Sequence, residues 1–337
     1  MRAARLHAVG DVRVEDVTDP VPAGHESLVR VTAVGLCGSD LHWFGEGGIG
    51  DATLSEPLVL GHEFAGVVEG GPSHGRRVAV DPADPCGRCE QCLAGNRNLC
   101  TDLRFAGHGH TDGGLRELIA WPSELLHPVP DAIGDADAAM LEPLGVALHA
   151  VDLGKARLGA TVAVVGCGPI GLCAVQLARL AGADRVIAVE PRAHRRDAAT
   201  RLGADLAIDA DEPEVLAAIQ DATGGRGCDV VLEIAGNDAA VGLSVQAAGQ
   251  GATVVLAGIP DDDSTTFPAS VARRKGLTLK LSRRMKEMYP RTIRLVASGR
   301  VDVRAVVTAT YPLADTGEAF RVAQAREGLK VVVEPAR

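Results

Sequence analysis

The sequence predicts an α/β protein that combines an irregular, loop-rich β domain with a doubly wound parallel sheet. In about the first 130 residues, short apolar runs at 27–36, 63–71 and 76–82 are separated by turns rich in Gly and Pro, which is typical of short strands. From Thr161 onward the pattern changes, because continuously apolar runs alternate with helix-like stretches. This alternation indicates a parallel sheet that helices cover on both faces.

Six apolar runs make up the predicted parallel sheet, a number that fits a doubly wound dinucleotide-binding fold. These runs are 161–166, 185–190, 204–209, 229–236, 252–258 and 277–282. The helices expected between the first five runs are 169–181, 193–202, 212–222 and 237–247. The connection between the last two runs looks irregular.

Beyond about Met285 we expect two helices and a final strand that return the chain to its first half. These elements are 289–298, 315–325 and 329–335. The sequence is therefore divided into a first domain of residues 1–143 and 284–337 and a second domain of residues 144–283.

Composition and charge narrow the class of protein. Of the 337 residues, 46% are hydrophobic and 23% charged, so the chain can bury a sizeable core. The net charge of −10, without a block of Lys or Arg, argues against a nucleic-acid partner. The sequence shows neither a signal peptide nor a run of roughly twenty apolar residues that could span a membrane. We therefore expect a cytoplasmic protein whose thiols stay reduced.

A glycine-rich turn marks the predicted cofactor site. The turn contains Gly166, Gly168 and Gly171, which directly follow a predicted strand and open a predicted helix. In this context the motif indicates a dinucleotide-binding turn. The first glycine permits the tight turn, the second lets the backbone approach a pyrophosphate, and the third allows close packing of helix and strand. Pro169 suits the first helical position, and with Ile170 it completes the turn. Free N–H groups at the start of this helix can bind phosphates.

Glu190 lies at the end of the second strand, 19 residues after Gly171. An acidic side chain at this spacing can accept hydrogen bonds from ribose hydroxyls and repels a 2′-phosphate, so the sequence favours NAD over NADP. Glu190 could also be an ordinary polar strand end, and Arg192, Arg195 and Arg196 nearby could admit a phosphate.

Four cysteines are concentrated in a short loop. Cys86, Cys89, Cys92 and Cys100 have the spacing C-x2-C-x2-C-x7-C, whose last gap does not fit a bacterial ferredoxin. The surrounding loop is unlike the βαβ context of a thioredoxin motif, and disulfides suit a reducing compartment poorly. Four thiolates fit a closed tetrahedral site, so we predict a structural zinc in a lobe around 84–101.

A second set of ligand types lies outside this loop. Cys37, His62 and Glu63 form a Cys/His/carboxylate set that could meet at one open zinc site. Glu142 adds an acidic residue within an apolar, helix-like run. Taken singly, each residue also has an ordinary structural interpretation. Cys37 could be a buried thiol, His62 a hydrogen-bonded core histidine and Glu63 a polar strand end. Glu142 could cap a helix or form an ion pair.

These motifs together resemble the zinc-dependent medium-chain dehydrogenases, and within them the polyol branch typified by sorbitol and L-idonate dehydrogenases. The matching segments, in the order of the family and over nearly the whole chain, are GLCGSDLHWFGEGGIG, EPLVLGHEFAG, PCGRCEQCLAGNRNLCTDLRFAG, LEPLGVALHA and VVGCGPIG. The resemblance implies a GroES-like catalytic domain, a Rossmann domain that binds NAD, and two zinc ions per chain. It assigns the catalytic zinc to Cys37, His62 and Glu63, with Glu142 as a further ligand or as the holder of the zinc-bound water.

The same resemblance implies further catalytic roles. Ser39 and His42 match a proton relay that carries the alcohol proton to solvent, although His42 alone would be read as a surface histidine. Gly258, at the carboxyl end of a predicted strand, is expected beside the nicotinamide.

The substrate pocket is also implied by the resemblance. Trp43, Ile49 and Ala52 match residues that line it, and an aromatic usually stands at the position of Ala52. Arg284 matches a substrate-binding arginine, but Met285 replaces its usual tyrosine neighbour. This departure argues against ordinary sorbitol specificity, and the basic residues around Arg284 favour a sugar acid or a phosphate.

The sequence thus predicts an NAD-dependent, zinc-dependent secondary-alcohol dehydrogenase acting on a polyol, sugar acid or cyclitol. An L-threonine or other amino-alcohol dehydrogenase is an alternative, because those enzymes share most of these motifs. A non-catalytic nucleotide-binding redox or zinc sensor is an alternative of another class. The resemblance implies a homo-oligomer, either a dimer or a tetramer, with the tetramer frequent in the polyol branch.

Overall fold

The computed structural model describes residues 1–50, 52–260 and 264–336. The chain forms two compact units. The first comprises Met1–Glu142, Tyr289–Gly299 and Val303–Arg337, and the second comprises Pro143–Met288 and Arg300–Asp302.

The strands and helices are numbered along the chain. The strands are β1 (Arg2–Ala8), β2 (Asp11–Asp16), β3 (Glu26–Gly35), β4 (Gly48–Ile49), β5 (Ala52–Thr53), β6 (Leu58–Val59), β7 (Glu63–Glu69), β8 (Arg77–Val80), β9 (Ala83–Pro85), β10 (Leu103–Phe105), β11 (Leu118–Pro122), β12 (Leu126–Pro128), β13 (Thr161–Val165), β14 (Arg185–Val189), β15 (Leu206–Ile208), β16 (Cys228–Glu233), β17 (Ala248–Leu256), β18 (Thr278–Leu281), β19 (Val307–Pro312) and β20 (Lys330–Glu334). The α-helices are α1 (Gly38–Glu46), α2 (Glu90–Leu93), α3 (Asp135–Ala139), α4 (Leu141–Gly154), α5 (Pro169–Leu180), α6 (Ala193–Arg201), α7 (Val215–Ala222), α8 (Asp238–Ala247), α9 (Ala269–Lys275), α10 (Tyr289–Ala297) and α11 (Thr316–Ala325). Short 3₁₀ turns lie at Arg97–Leu99, Ser123–Leu125, Arg304–Val306 and Leu313–Asp315.

The first unit is built around a mixed sheet. Its strand order is β12-β8-β7-β3-β20-β19, and β11 also pairs with β3. The pairs are antiparallel except β19 with β20. The antiparallel register sets Gly35, at the end of β3, opposite Glu63, at the start of β7. The segments that follow β3 and precede β7 therefore meet at one edge of the sheet.

Apolar side chains from this sheet and from the smaller sheet β2-β1-β6 form the core of the first unit. Trp43, Trp121, Phe64 and Phe320 are among its largest buried side chains. Burying such aromatic residues dominates the energetics of a core, so the loop-rich first unit does possess a substantial apolar interior.

The second unit contains the predicted parallel sheet. Its strand order is β15-β14-β13-β16-β17-β18, and all five pairs are parallel. The order reverses at β13, as in the doubly wound dinucleotide-binding fold. The six predicted strands and the four predicted helices between the first five of them are confirmed.

One expectation about this unit is wrong. The connection between β17 and β18 is not irregular throughout, because α9 occupies Ala269–Lys275. The segment "ASVARRK" contains good helix formers, and Gly276 ends the helix in a left-handed conformation with φ of 62°. The turn-forming residues that precede this short helix obscured it. Within the described residues, no helix is both long enough and apolar enough to cross a membrane.

Candidate metal and cofactor sites

The four clustered cysteines lie together in the first unit. The sulfur atoms of Cys86, Cys89, Cys92 and Cys100 all lie within 4.8 Å of one another, and all four are free thiols. Backbone N–H groups point at the cluster: those of Cys86 and Asp102 donate to Cys100 Sγ at 3.3 and 3.4 Å. Four sulfur ligands at this spacing fit a closed tetrahedral zinc site.

Backbone N–H groups also favour the thiolate form of Cys89 in this cluster. Those of Cys92 and Thr101 lower the pKa of Cys89 to about 6. Desolvation and the neighbouring thiols raise the pKa of Cys92 to about 12. Neighbouring thiolates repel one another, and a zinc ion bound by the sulfurs compensates this repulsion.

Cys37, His62 and Glu63 form a second group in the first unit. Their ligand atoms lie within 4.8 Å of one another. Cys37 caps the start of α1 just after β3, and Glu63 opens β7, so the β3–β7 pairing brings the group together. The thiol, imidazole and carboxylate fit a zinc site with an open position. Among the described residues Glu142 does not belong to this group of three; it is buried in the first turn of α4.

The Asp40 carboxylate contacts two of the three residues in this group, Cys37 and His62. Its Oδ2 accepts the Cys37 N–H at 2.9 Å, and its Oδ1 accepts the Gly61 N–H at 3.2 Å and lies 3.3 Å from His62 Nδ1. Burial opposes the ionisation of Asp40, but the His62 ring and the two N–H groups outweigh it and lower the pKa of the carboxyl. Burial likewise opposes a charge on His62, but Asp40 and Cys37 hold its pKa well above the usual value. A carboxylate behind a histidine is the common arrangement that orients a metal-binding imidazole.

Lys330 contacts the group from β20. Its Nζ lies 2.8 and 2.6 Å from Glu63 Oε1 and Oε2 and also donates to the Leu36 carbonyl at 2.9 Å. Both side chains are buried. Although burial opposes the charge, the Glu63 and Cys37 charges raise the pKa of Lys330. The ammonium and the Glu63 carboxylate therefore form a buried ion pair.

The predicted relay residues lie on α1. Ser39 Oγ is 3.3 Å from His62 Nε2, whereas His42 Nδ1 is 3.1 Å from Glu46 Oε1. Ser39, His42 and Glu46 follow one helix face, since residues three and four apart are neighbours there. Within the described part of the chain, Ser39 and His42 are not hydrogen-bonded to each other.

The predicted substrate residues are found in both units. Trp43 is buried in α1, and its ring meets His108 edge to face at 5.4 Å between centroids. Ile49 is half-buried and pairs with Ala52 in the β4–β5 hairpin. Arg284 belongs to the second unit, where its backbone has a left-handed φ of 51°.

The glycine turn of the second unit has the expected form. It runs from the end of β13 into α5, with Pro169 in the first turn of the helix. Gly166 has φ of 93°, and a Cβ there would lie 2.7 Å from the Ala235 nitrogen. Within the described part of the chain, the one atom beyond its chain neighbours that a Cβ on Gly168 would approach within 4 Å is Arg195 Nη1, at 3.8 Å. The turn thus presents open backbone beside a guanidinium, which fits a pyrophosphate group.

The remaining turn residues are packed closely. A Cβ on Gly171 would collide with the Gly166 carbonyl oxygen. Gly258 follows β17, and a Cβ there would collide with the Gly236 nitrogen. Ile170 is half-buried in the first turn of α5.

Glu190 is tied to the glycine turn. It is buried, its Oε2 accepts the Cys167 N–H at 2.8 Å, and its Oε1 accepts the Arg192 N–H at 3.1 Å. Of the nearby arginines, Arg196 contacts the Glu190 and Pro191 carbonyls and pairs with Asp209 at 2.9 Å. The carboxylate is thereby held at the end of β14, beside the turn that would receive the phosphates.

Two residues of the metal site were not singled out from the sequence. Asp40 lies inside the segment "GLCGSDLH". The sequence feature that could have identified it is its position as an acidic residue in the first turn of a helix that directly follows the ligand Cys37. Lys330 is the one charged residue within the run "LKVVV". A lysine in an otherwise buried strand is rare unless its charge is paired. The position of Lys330 could therefore have predicted a buried partner of opposite charge.

Comparisons with known proteins agree with this architecture. The family "Alcohol dehydrogenase GroES-like domain" matches residues 23–131, and the family "Zinc-binding dehydrogenase" matches residues 169–298. The chain is 35% identical to the sorbitol dehydrogenase of Bacillus subtilis over 100% of this chain and 98% of that protein.

Solved structures give the same result. The L-idonate 5-dehydrogenase of Escherichia coli superposes with a TM-score of 0.92 at 28% identity, covering 99% of this chain and 97% of that one. A zinc-binding dehydrogenase from Sinorhizobium meliloti, bound to NADP, superposes with a TM-score of 0.91 at 35% identity, covering 99% of each chain.

The chain belongs to the zinc-binding medium-chain dehydrogenases, with relatives in the polyol branch of that family. It is an oxidoreductase that acts on CH–OH groups of alcohols or polyols with a nicotinamide cofactor. Among the described residues, the four-cysteine cluster and the Cys37/His62/Glu63 group are zinc sites.

Proposed function

We propose that this chain oxidises a secondary alcohol of a polyol, sugar acid or cyclitol and transfers the hydride to NAD. The observation that carries the proposal is the group of Cys37, His62 and Glu63, whose ligand atoms lie within 4.8 Å of one another. Unlike the four-cysteine cluster, such a set leaves a position for a substrate hydroxyl. Zinc bound there supplies a Lewis acid that lowers the pKa of this hydroxyl.

We assign the removal of the alcohol proton to α1 and α4. Ser39, beside His62, receives the proton, and His42, one turn further along α1, passes it outward. Glu46, which contacts His42 and is 66% exposed, connects this path to solvent. Glu142, buried at the start of α4, orients the substrate hydroxyl or a water molecule.

NAD is the proposed cofactor because Glu190 is held beside the glycine turn. Hydrogen bonds from the Cys167 and Arg192 N–H groups keep its carboxylate in place, where it can accept hydrogen bonds from the ribose hydroxyls. The relative with bound NADP and the Arg195 guanidinium near Gly168 make NADP the second candidate. Replacing Glu190 with Ser should lower kcat/KM for NAD by about ten-fold, since a hydrogen bond to a charged group contributes about 1.5 kcal/mol or more.

A sugar acid is the substrate class favoured by charge. Arg283, Arg284 and Lys286 form a basic cluster in a protein of net charge −10, and arginine binds carboxylates with two parallel hydrogen bonds. The resemblance to an L-idonate dehydrogenase supports this class, whereas the sorbitol dehydrogenase relative supports a neutral polyol. Replacing Arg284 with Met should therefore raise KM for a sugar acid and leave KM for a neutral polyol unchanged.

The experiment is a substrate panel in which formation of reduced nicotinamide is followed with NAD or NADP. The panel contains sorbitol, xylitol, L-idonate, myo-inositol and L-threonine. Turnover of a polyhydroxy substrate with NAD, lost in Glu142→Ala but kept in the exposed control Glu124→Ala, is the expected result. A preference for NADP contradicts the role proposed for Glu190. Turnover of L-threonine and of no other compound in the panel contradicts the proposed substrate class and identifies an amino-alcohol dehydrogenase. Absence of turnover in protein with two bound zinc ions contradicts the proposed substrate.

We also propose that the protein is a cytoplasmic homo-oligomer, a dimer or a tetramer. The family resemblance supports this assembly. Light scattering of the purified protein measures the number of subunits, and a monomeric mass contradicts the proposal.

A further inference from the structure

A cavity of about 730 Å³ lies within the second unit, at the edge of the parallel sheet where the strands begin. Its volume is in the range of small-molecule sites, roughly 300–1,000 Å³. The cavity reaches the start of β13, which begins at Thr161, whereas the glycine turn follows the other end of this strand, at Val165. The cavity is therefore separate from the turn that receives the phosphates of the dinucleotide.

Cationic side chains surround this cavity. Lys155, Arg157 and Arg226 line it, and Asp229 is the one acidic residue among the described residues that do so. The lining thus carries three positive charges and one negative charge, a net charge of +2, in a protein whose net charge is −10. One oxygen of Asp229 already accepts the Thr161 N–H, at 2.8 Å. A cavity with this charge attracts anions.

The three cations have no acidic partner of their own. Within the residues that the structure describes, none of their side chains forms an ion pair or donates a hydrogen bond. Elsewhere in the same unit Arg196, for example, pairs with Asp209 at 2.9 Å. An arginine carries five N–H donors and a lysine three, so the side chains around the cavity offer many donors to an anion.

The turn that carries Arg226 is held firmly in place. It spans residues 224–227, and the Thr223 hydroxyl accepts the Gly227 N–H at 3.1 Å. A Cβ on Gly249, at the start of β17, would lie 2.6 Å from the Arg226 carbonyl oxygen. Because the two backbone segments pack this closely, a ligand that contacts Arg226 has little backbone to order, which favours binding.

Lys155 has a backbone conformation that usually belongs to glycine. Its φ is 53°, and it directly follows the last residue of α4, where glycine is common. The preceding Gly154 cannot exchange places with it, because a Cβ there would lie 2.7 Å from Val230 Cγ1. A side chain kept in an unfavourable conformation is grounds for a functional hypothesis, and here that side chain lines the cavity.

We propose that this cavity binds a small anion that carries a phosphomonoester group. Such a group has a charge of nearly −2 at neutral pH, which matches the charge of the lining. Guanidinium and ammonium groups are the usual partners of phosphate oxygens. The cavity is larger than a phosphate, so the organic part of the ligand, a sugar or a nucleoside, lies in it as well. This site goes beyond the proposed function, since it includes neither the zinc ligands nor the glycine turn.

Calorimetry on the zinc-loaded protein measures the binding, with the dinucleotide cofactor at saturation so that the glycine turn is occupied. The probes are inorganic phosphate, glucose 6-phosphate and AMP, which separate a bare phosphate, a sugar phosphate and a nucleotide. We expect one site per chain that binds one of the two organic phosphates more tightly than inorganic phosphate. Its affinity should fall about four-fold from about pH 7.5 to about pH 5.5, because the second pKa of a phosphomonoester is about 6.

Variants connect the binding to the cavity. Arg157→Ala, Arg226→Ala and Lys155→Gly should each weaken binding by up to about five-fold, the scale of exposed charge pairs. Arg157→Ala/Arg226→Ala should weaken it by about ten-fold or more. The matched control is Arg201→Ala, because Arg201 is an exposed arginine in the last turn of α6 that does not line the cavity. Its affinity should equal that of the parent.

Three results overturn the proposal. The first is the absence of saturable binding with all three probes. The second is binding of inorganic phosphate alone, which excludes a phosphomonoester as the ligand. The third is an equal loss of affinity in Arg201→Ala and in the double variant, which would mean that the anion responds to the general surface charge.

Discussion

Asp40 Oδ1 lies 3.3 Å from His62 Nδ1, and both side chains are buried. Because Nδ1 faces this carboxylate, Nε2 is the nitrogen left for a metal ion. Nε2 also lies 3.3 Å from Ser39 Oγ. One carboxylate, also bonded to the Cys37 N–H, thereby aligns two of the three ligands.

The first prediction concerns this carboxylate. Asp40→Asn removes the charge beside His62 and replaces one of the two acceptor oxygens with an NH₂ group, which must then face a donor on either the Cys37 side or the His62 side, so at least one of the two ligands loses its support. We expect the affinity of the Cys37/His62/Glu63 site for zinc to fall by about 10- to 100-fold. Competition with a chelator measures the affinity, and the ion at the four-cysteine cluster, which should be retained, is the internal control. Unchanged affinity contradicts the role assigned to Asp40.

The second prediction concerns the four-cysteine cluster. Cys100→Ser removes a sulfur that accepts two backbone N–H groups. We expect the loss of one zinc per chain and of about 4 kcal/mol in the free energy of unfolding, because loss of a metal is among the most destabilising changes. Metal analysis and urea denaturation measure the two effects. Cys228→Ala, which removes a buried thiol outside the cluster, should keep both ions; a Cys100→Ser protein with two ions would contradict a structural role for the cluster.

The third prediction compares two helical glycines of the second unit. A Cβ on Gly171 in α5 would strike the Gly166 carbonyl oxygen, whereas a Cβ on Gly242 in α8 would have no described atom within 4 Å apart from its chain neighbours and the backbone of its own helix. Gly171→Ala should therefore destabilise the protein by about 1–3 kcal/mol through overpacking. Gly242→Ala should stabilise it by up to about 1 kcal/mol through helix propensity. Urea denaturation measures both, and equal effects would mean that the close packing at Gly171 has no energetic importance.

The fourth prediction is a pH dependence of stability at the end of β16. Burial raises the pKa of Glu233 above 4.5, although N–H groups of Gly236, Ala235 and Gly258 oppose the rise. The folded state therefore binds the proton more tightly than the unfolded state. Its stabilising effect is present below the unfolded pKa and is lost as the pH rises through the folded pKa.

Glu233→Gln removes this titration and retains an oxygen for the N–H groups. The stability of the variant relative to the parent should therefore increase as the pH rises above 4.5, the ordinary pKa of the group, and through the raised pKa of Glu233 in the folded state. Urea denaturation across this range measures the difference, with Glu124→Gln as an exposed control. A difference that stays constant with pH would show that Glu233 has the same pKa in the folded and unfolded states.

Features encoded within short segments were determined by the sequence itself. The cysteine cluster lies within fifteen residues, and the glycine turn lies between one strand and the next helix. The six strands of the second unit follow from continuous apolar runs, because a parallel sheet buries both faces. The helix Ala269–Lys275 escaped prediction because it is short and carries little apolar periodicity.

Contacts between distant segments were decided only by the tertiary structure. Lys330 and Glu63 are 267 residues apart. They meet because β3 pairs with β7 on one side and with β20 on the other. The apolar pattern of a strand indicates that the strand is buried, but it does not indicate which other strand pairs with it. The charges that surround the Cys37/His62/Glu63 site therefore depend on how the sheet is assembled.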